Sequence, residues 1–353
     1  MSRLENLRQS MTTVGIDAYL SLVPENRHYL SGFTGSAGSL LILPEQAFLL
    51  TDFRYIEQAN QETVEYTVIK MGNDLFVSLA ELSSKVKRLG FEGDYLNFMD
   101  YCRLRDALPQ TELVSLPNLV TDLRSVKEPT EISLIRDAVR IADEAWATIL
   151  NSIEIGQTEE KIALDLEFAM RRAGASGPSF DFIVASGRRS ALPHGRASSK
   201  IIQRGELLTL DFGAIYRGYC SDITRTVILG EPDDRQKEIY ELVLAANQAG
   251  IEAVKPGLKG KEVDAVARKV IKEAGYGEYF GHGLGHSVGL TVHEGPNLNL
   301  REEKLLKSGM VVTVEPGIYL PDWGGVRIED MVLITEQGCE VLTRSPKKLT
   351  VIG

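Results

Sequence analysis

Cysteine is scarce in this chain: Cys102, Cys220 and Cys339 are far apart and odd in number. No pair has zinc-knuckle or redox spacing, so the thiols are expected free, in a reducing compartment. Long apolar runs are missing too. The start, MSRLENLRQSMTTVGIDAYL, has no stretch fit for a signal peptide. GSLLILPEQAFLL is broken by Pro44, Glu45 and Gln46, well short of a membrane span. The expectation is a cytoplasmic protein with no membrane partner. Basic residues are outnumbered, 39 against 49 acidic ones, for a net charge of -10. That balance argues against a general nucleic-acid binder. Histidine occurs only five times, yet four copies, His194, His282, His286 and His293, fall between positions 194 and 293.

A length of 353 residues exceeds the roughly 250–300 at which single cores stop growing, so two domains are expected, 1–122 and 123–353. In the first, apolar runs at 18–23, 39–44, 47–52 and 67–71 read as strands, and 4–13, 55–60 and 74–89 as helices. This is an α/β domain. In the second, Pro129 opens a long helix whose apolar face is Ile132, Ile135, Val139, Ala142, Trp146 and Leu150, ended by Gly156. Thr158 caps the next helix, which Gly174 stops, and two more helices follow the segments QKEIYELVLAANQAGIEAV and KEVDAVARKVIKEAG.

Residues 200–230 and 308–336 read as strands, and they resemble each other. QRGELLTLDFGAIY and KSGMVVTVEPGIYL each place a glycine six positions before an acid (Gly205 before Asp211, Gly309 before Glu315) and a threonine two before it. Each acid is followed by a turn and a second acid, Asp222 or Glu329. A two-residue turn between Tyr216 and Arg217 would set Asp211 directly opposite Asp222. Glu315 and Glu329 need an odd or bulged loop, which Pro321 and Gly324-Gly325 can supply. Carboxylates so placed repel unless a cation sits between them or one takes a proton. Arg327, two before Glu329, points to the same face and could orient that carboxylate.

Between the hairpins lies YFGHGLGHSVGLTVHEGPN, where Gly281, Gly283 and Gly285 make a helix unfavourable. The string lacks the glutamate of the helical zinc-protease signature and the lysine of a phosphate loop. Four carboxylates with one or more imidazoles suit hard or borderline divalent cations, and four negative charges exceed the need of one ion. Carboxylates that bridge two ions about 3.5–4 Å apart are the usual construction. Cys220 reads as a neighbour of this set rather than a ligand.

The motifs PHGR, LTLDFGAIYRGYCSDITRT, GHGLGHSVGLTVHE, VVTVEPGIY and GVRIEDMVLI resemble the pita-bread metallopeptidases: methionine aminopeptidase, aminopeptidase P and prolidase. GFTGSAGSLLIL and TDFRYIEQA are similar to the creatinase-like N-terminal α/β domain of prolidases and aminopeptidases P, a domain that methionine aminopeptidases lack. The resemblance implies an α+β pita-bread catalytic domain with pseudo-twofold symmetry. It also implies two divalent ions, Mn2+ first and Co2+, Zn2+ or Fe2+ as alternatives, on Asp211, Asp222, His286, Glu315 and Glu329. The implied reaction is hydrolysis of the Xaa-Pro bond of dipeptides by a hydroxide bridging the ions, with Xaa-Pro aminopeptidase action on longer peptides as the alternative. A catalytically silent binding module of the same fold is a distant third. Glu315, His194 and His293 are the implied catalytic residues. His282, Arg327, His194 and His293 would bind a proline-containing substrate, and a homodimer is the implied assembly.

Overall fold

The structure is a computed structural model that describes residues 2–72 and 74–353. The chain divides into two compact units, the first ending at Arg124 and the second Ser125–Gly353.

In the first unit the apolar runs form a six-stranded sheet in the order Thr67–Lys70, Ala47–Thr51, Ser39–Ile42, Ala18–Ser21, Arg88–Phe91, Glu112–Ser115. Ser39–Ile42 and Ala47–Thr51 make the antiparallel hairpin expected around Pro44-Glu45, and the outer pairings are parallel. Leu20, Leu41, Leu50, Leu89 and Leu104 fill the core. The helix expected over 74–89 ends at Leu82. Arg88–Phe91 instead pairs with Ala18–Ser21 beside it in the sheet, because Leu89 and Phe91 gain more burial there than on a half-exposed helix. The helix Pro24–Ser31 was not foreseen: its moderate amphipathicity is dominated by polar residues, and its Asn26 and Arg27 are buried.

The second unit is two halves built alike. The helices Pro129–Leu150 and Glu159–Arg172 precede the sheet that holds the antiparallel strands Leu207–Phe212 and Ile223–Leu229. The helices Asp234–Ala253 and Gly260–Glu273 precede the sheet that holds Val311–Val314 and Asp330–Ile334. Trp146, Ile135, Val139 and Ala142 are buried as their spacing requires, but the first helix stops at Leu150, six residues before Gly156. Gly156 has φ +103° and starts the turn into the Thr158 cap, whose side chain accepts from Lys161 N. Gly205 and Gly309, the matched glycines of the repeat, have φ +83° and +88°, so both halves enter their hairpins through the same left-handed turn.

Candidate metal centre

The first hairpin turns at Arg217-Gly218, one position later than expected. Tyr216 pairs with Tyr219, and φ is +48° and +87° at the two residues between them. A tight hairpin turn of this hand needs φ above zero at both central positions, and Gly218 meets that at no steric cost. The shift sets Asp211 opposite Thr224 rather than Asp222. Asp222 lies two residues back along the same strand direction, so both acids still face one side. In the second hairpin Val314 pairs with Asp330 and Gly317 with Arg327, so Glu315 and Glu329 lie opposite each other with no extra residue in either strand. The three-residue loop Pro321–Trp323 supplies the odd spacing, with Asp322 at φ +62°.

Asp222, His286 and Glu329 bring one ligand atom each within 4.8 Å of one another. His286 Nε2 lies 3.6 Å from Asp222 Oδ2 and 3.4 Å from Glu315 Oε1. Its Nδ1–H donates to the carbonyl of Ser287 at 3.1 Å, which leaves Nε2 as the free lone pair that a metal ligand needs. Thr313 Oγ1 donates to Glu315 Oε1 and accepts from His286 N, while Thr224 Oγ1 donates to Glu329 Oε2 at 2.7 Å. Asp211 Oδ2 accepts from Arg327 Nη2 at 2.6 Å, but Asp211 Oδ1 is buried with no partner.

Burial, then repulsion from the neighbouring carboxylates, pushes Asp222 and Glu329 well above the usual carboxylate range. Burial raises Glu315 to about 8 against the pull of Arg327. His286 is driven down to about 4 by burial and by His293 beside it. Acids that resist ionising, an orphaned carboxylate oxygen and an imidazole held neutral all fit bound cations, which supply the missing charge and the missing partner.

The other expected residues take distinct places. His293 is exposed, with its ring 4.3 Å from that of His286, and His194 is exposed at the rim of the same cavity, whose volume is about 630 Å³. His282 Nδ1–H donates to Gly283 O, and its Nε2 accepts from the hydroxyl of Tyr319 at 2.8 Å. That hydroxyl in turn accepts from Arg327 Nη1. Arg327 also donates to Thr224 Oγ1 and the carbonyl of Pro193, so its donors are engaged within the protein, and its carboxylate partner is Asp211 rather than Glu329. Tyr319, the link from His282 to Arg327, escaped the sequence reading. Its signal was its place four residues after Glu315 along an extended segment, on the same face. The thiol of Cys220 donates to the carbonyl of Leu290, away from the ligand set.

Four largely buried carboxylates and one imidazole nitrogen on the wall of a solvent-open cavity are the ligand set of a metal-dependent hydrolase. Residues 133–336 match metallopeptidase family M24, and residues 3–126 match the creatinase/prolidase N-terminal domain. The chain belongs to metallopeptidase family M24, with a creatinase-like N-terminal domain and a pita-bread catalytic domain, and divalent metal ions belong to its site. It is 42% identical to the Xaa-Pro dipeptidase of Pyrococcus furiosus, over 98% of this chain and 99% of that one. The solved structure of the Xaa-Pro dipeptidase from Bacillus anthracis matches with TM-score 0.97 and 46% identity, over 99% of both chains. That of the X-Pro aminopeptidase from Thermotoga maritima matches with TM-score 0.91 and 42% identity, over 98% of this chain and 100% of the other.

Proposed function

We propose that the chain is an Xaa-Pro dipeptidase working with two divalent ions held by Asp211, Asp222, His286, Glu315 and Glu329. The observation that carries the reading is the charge imbalance at the site: four carboxylates face one another, and Asp211 Oδ1 is buried without a partner. The likeness to proteins named Xaa-Pro dipeptidase supports the substrate. When bound, the ions lower the pKa of a water and polarise the carbonyl under attack. Arg327, itself bonded to Tyr319, holds Asp211 in orientation through its 2.6 Å hydrogen bond. His286 is fixed by its bond to Ser287 O. Glu315, on the cavity wall, carries a proton to the departing prolyl nitrogen, a secondary amine that leaves poorly unless protonated. His293 donates to the carbonyl oxygen as charge builds on it, and His194 holds the prolyl end at the cavity rim. His282, set by Tyr319, lines the same cavity and would contact the substrate there. Mn2+ is the first candidate for both positions, and the protein is proposed to act as a cytoplasmic homodimer, in keeping with the family resemblance.

The test is chelation, add-back of Mn2+, Co2+, Zn2+ or Fe2+, and comparison of an Xaa-Pro dipeptide with an Xaa-Pro-Yaa tripeptide. Two ions per chain by elemental analysis and faster dipeptide cleavage are expected. One ion per chain removes the dinuclear reading. The likeness to the Thermotoga maritima X-Pro aminopeptidase favours the second reading, and equal or faster tripeptide turnover establishes it in place of the first. Light scattering of the purified protein checks the dimer.

A further inference from the structure

A cavity walled by four carboxylates is hostile to a substrate that carries one of its own. In an Xaa-Pro dipeptide the free carboxylate is two bonds from the scissile nitrogen, so it must be brought close to Asp211, Asp222, Glu315 and Glu329. A cation is needed to receive it. Two arginines line the cavity, Arg196 and Arg327. Arg327 is 3% exposed and its nitrogens are engaged with Asp211, Tyr319, Thr224 and Pro193. Arg196 differs on both counts. Its side chain is 75% exposed and, among the described residues, pairs with the equally exposed Asp181, at 3.0 Å. A guanidinium has five N–H donors, and an exposed ion pair of this kind holds its partners weakly, so Arg196 has donors to offer an incoming carboxylate.

The backbone that carries Arg196 is held in place. Arg196 forms an antiparallel bridge with Ile183, another residue of the cavity wall. Its carbonyl accepts from Arg189 Nη2, and Arg189 Nη1 pairs at 2.7 Å with Glu159, whose side chain is fully buried. Glu159 also accepts from the backbone and hydroxyl of Ser186 and of Ser198, at the two ends of the same segment. One buried carboxylate therefore ties down the piece of chain that presents Pro193, His194 and Arg196. Phe180, Ile183 and Pro193 add apolar wall to this cavity, a surface suited to a pyrrolidine ring.

We propose that Arg196 receives the free carboxylate of the prolyl residue and so sets the preference for dipeptides over longer or blocked peptides. This rests on the Xaa-Pro reading above. A C-terminal amide offers no charge at that point, and a tripeptide places its carboxylate one residue further out.

The test compares Arg196→Gln and Arg196→Lys with the wild type, all metal-loaded, on an Xaa-Pro dipeptide and the matching Xaa-Pro amide. Arg196→Gln is expected to raise KM for the free acid at least tenfold, with kcat within about threefold, and to leave the amide unchanged. Arg196→Lys, which keeps the charge but loses the fork, should recover part of the difference. Calorimetry of proline against prolinamide gives a second readout: the wild type should favour proline and Arg196→Gln should not. Equal losses on acid and amide, or an unchanged KM for the acid, overturn the proposal while leaving the Xaa-Pro reading intact. A wild type that cleaves neither substrate removes that reading, and an indifference of proline binding to Arg196→Gln then overturns the proposal on its own.

Discussion

Removing the metal and raising the pH from 6.5 to 8 should unfold this protein progressively more easily. Without ions, Asp222, Glu315 and Glu329 hold protons in the folded chain because burial and mutual repulsion raise their pKa values, Glu315 to about 8. In the unfolded chain the same groups ionise near 4. A raised pKa means the folded state binds more protons, so its stability is fully present below the unfolded value and is lost as pH climbs through the folded one. The histidines act the other way. Burial lowers His28 and His293 and takes His282 and His286 down to about 4, so their contribution grows with pH and levels off only as the unfolded imidazoles finish deprotonating, about one unit above 6.5. Between pH 6.5 and 8 the unfolded imidazoles lose their remaining protons, which adds about 0.4 kcal/mol per histidine and offsets part of the fall, while each acid that keeps its proton works the other way. One retained proton costs about 1.4 kcal/mol per pH unit; across this window that is about 2 kcal/mol, or a fall of roughly 4–8 °C in melting midpoint for a domain of this size. Further retained protons add to it. Scanning calorimetry of the chelated and metal-loaded protein at four pH values measures the effect. The loaded protein should show no such fall, because bound cations keep the carboxylates ionised. A chelated protein whose midpoint holds or rises across the window would refute the reasoning.

Asp222→Asn should flatten that pH slope and raise the midpoint of the chelated protein at pH 8, while abolishing metal-dependent hydrolysis; a lower midpoint at pH 8 would contradict the repulsion argument. Arg225 is 1% exposed and bonds Asp330, Ser345 O and Thr224 O. Arg225→Met leaves Asp330 only Lys347 as ionic partner and should cost about 3–5 kcal/mol in urea unfolding; a loss below 1 kcal/mol counts against it. Thr313→Val removes the hydroxyl shared by His286 N and Glu315 and should weaken metal affinity about 10–100-fold in chelator competition. In the first unit, Glu92 accepts from Ser21, Leu22 N, Val23 N and Asn26 while fully buried. Glu92→Gln turns an amide N–H₂ toward those donors and should cost about 1–3 kcal/mol, read from urea unfolding and a rise in amide exchange across 18–26.

Much of this site was legible along the chain because strand periodicity and turn chemistry are local. The paired threonines and glycines marked two equivalent hairpins, and side-chain alternation along the strands, with a two-residue turn in one and a three-residue loop in the other, kept each hairpin's acids on one face. The glycine-rich spacing showed that His282 and His286 belong to a loop. Local rules failed where a register or a partner is chosen at a distance. The turn at Arg217-Gly218 moved Asp222 out of register with Asp211, since the left-handed turn must close where its backbone angles are met. The helix expected over 74–89 stopped at Leu82 because neighbouring strands could bury Leu89 and Phe91.

By itself, then, the sequence determined the residue types at the site, the repeat and the family, because these rest on spacing within tens of residues. The tertiary structure decided which groups meet. Arg327 pairs with Asp211, 116 residues away, rather than with Glu329 two positions along; Tyr319 joins His282 to Arg327; and of two arginines at the cavity only Arg196 retains free donors. A charged group's partners depend on what else is buried beside it, and that is set by how the two hairpins pack rather than by any stretch of chain read alone.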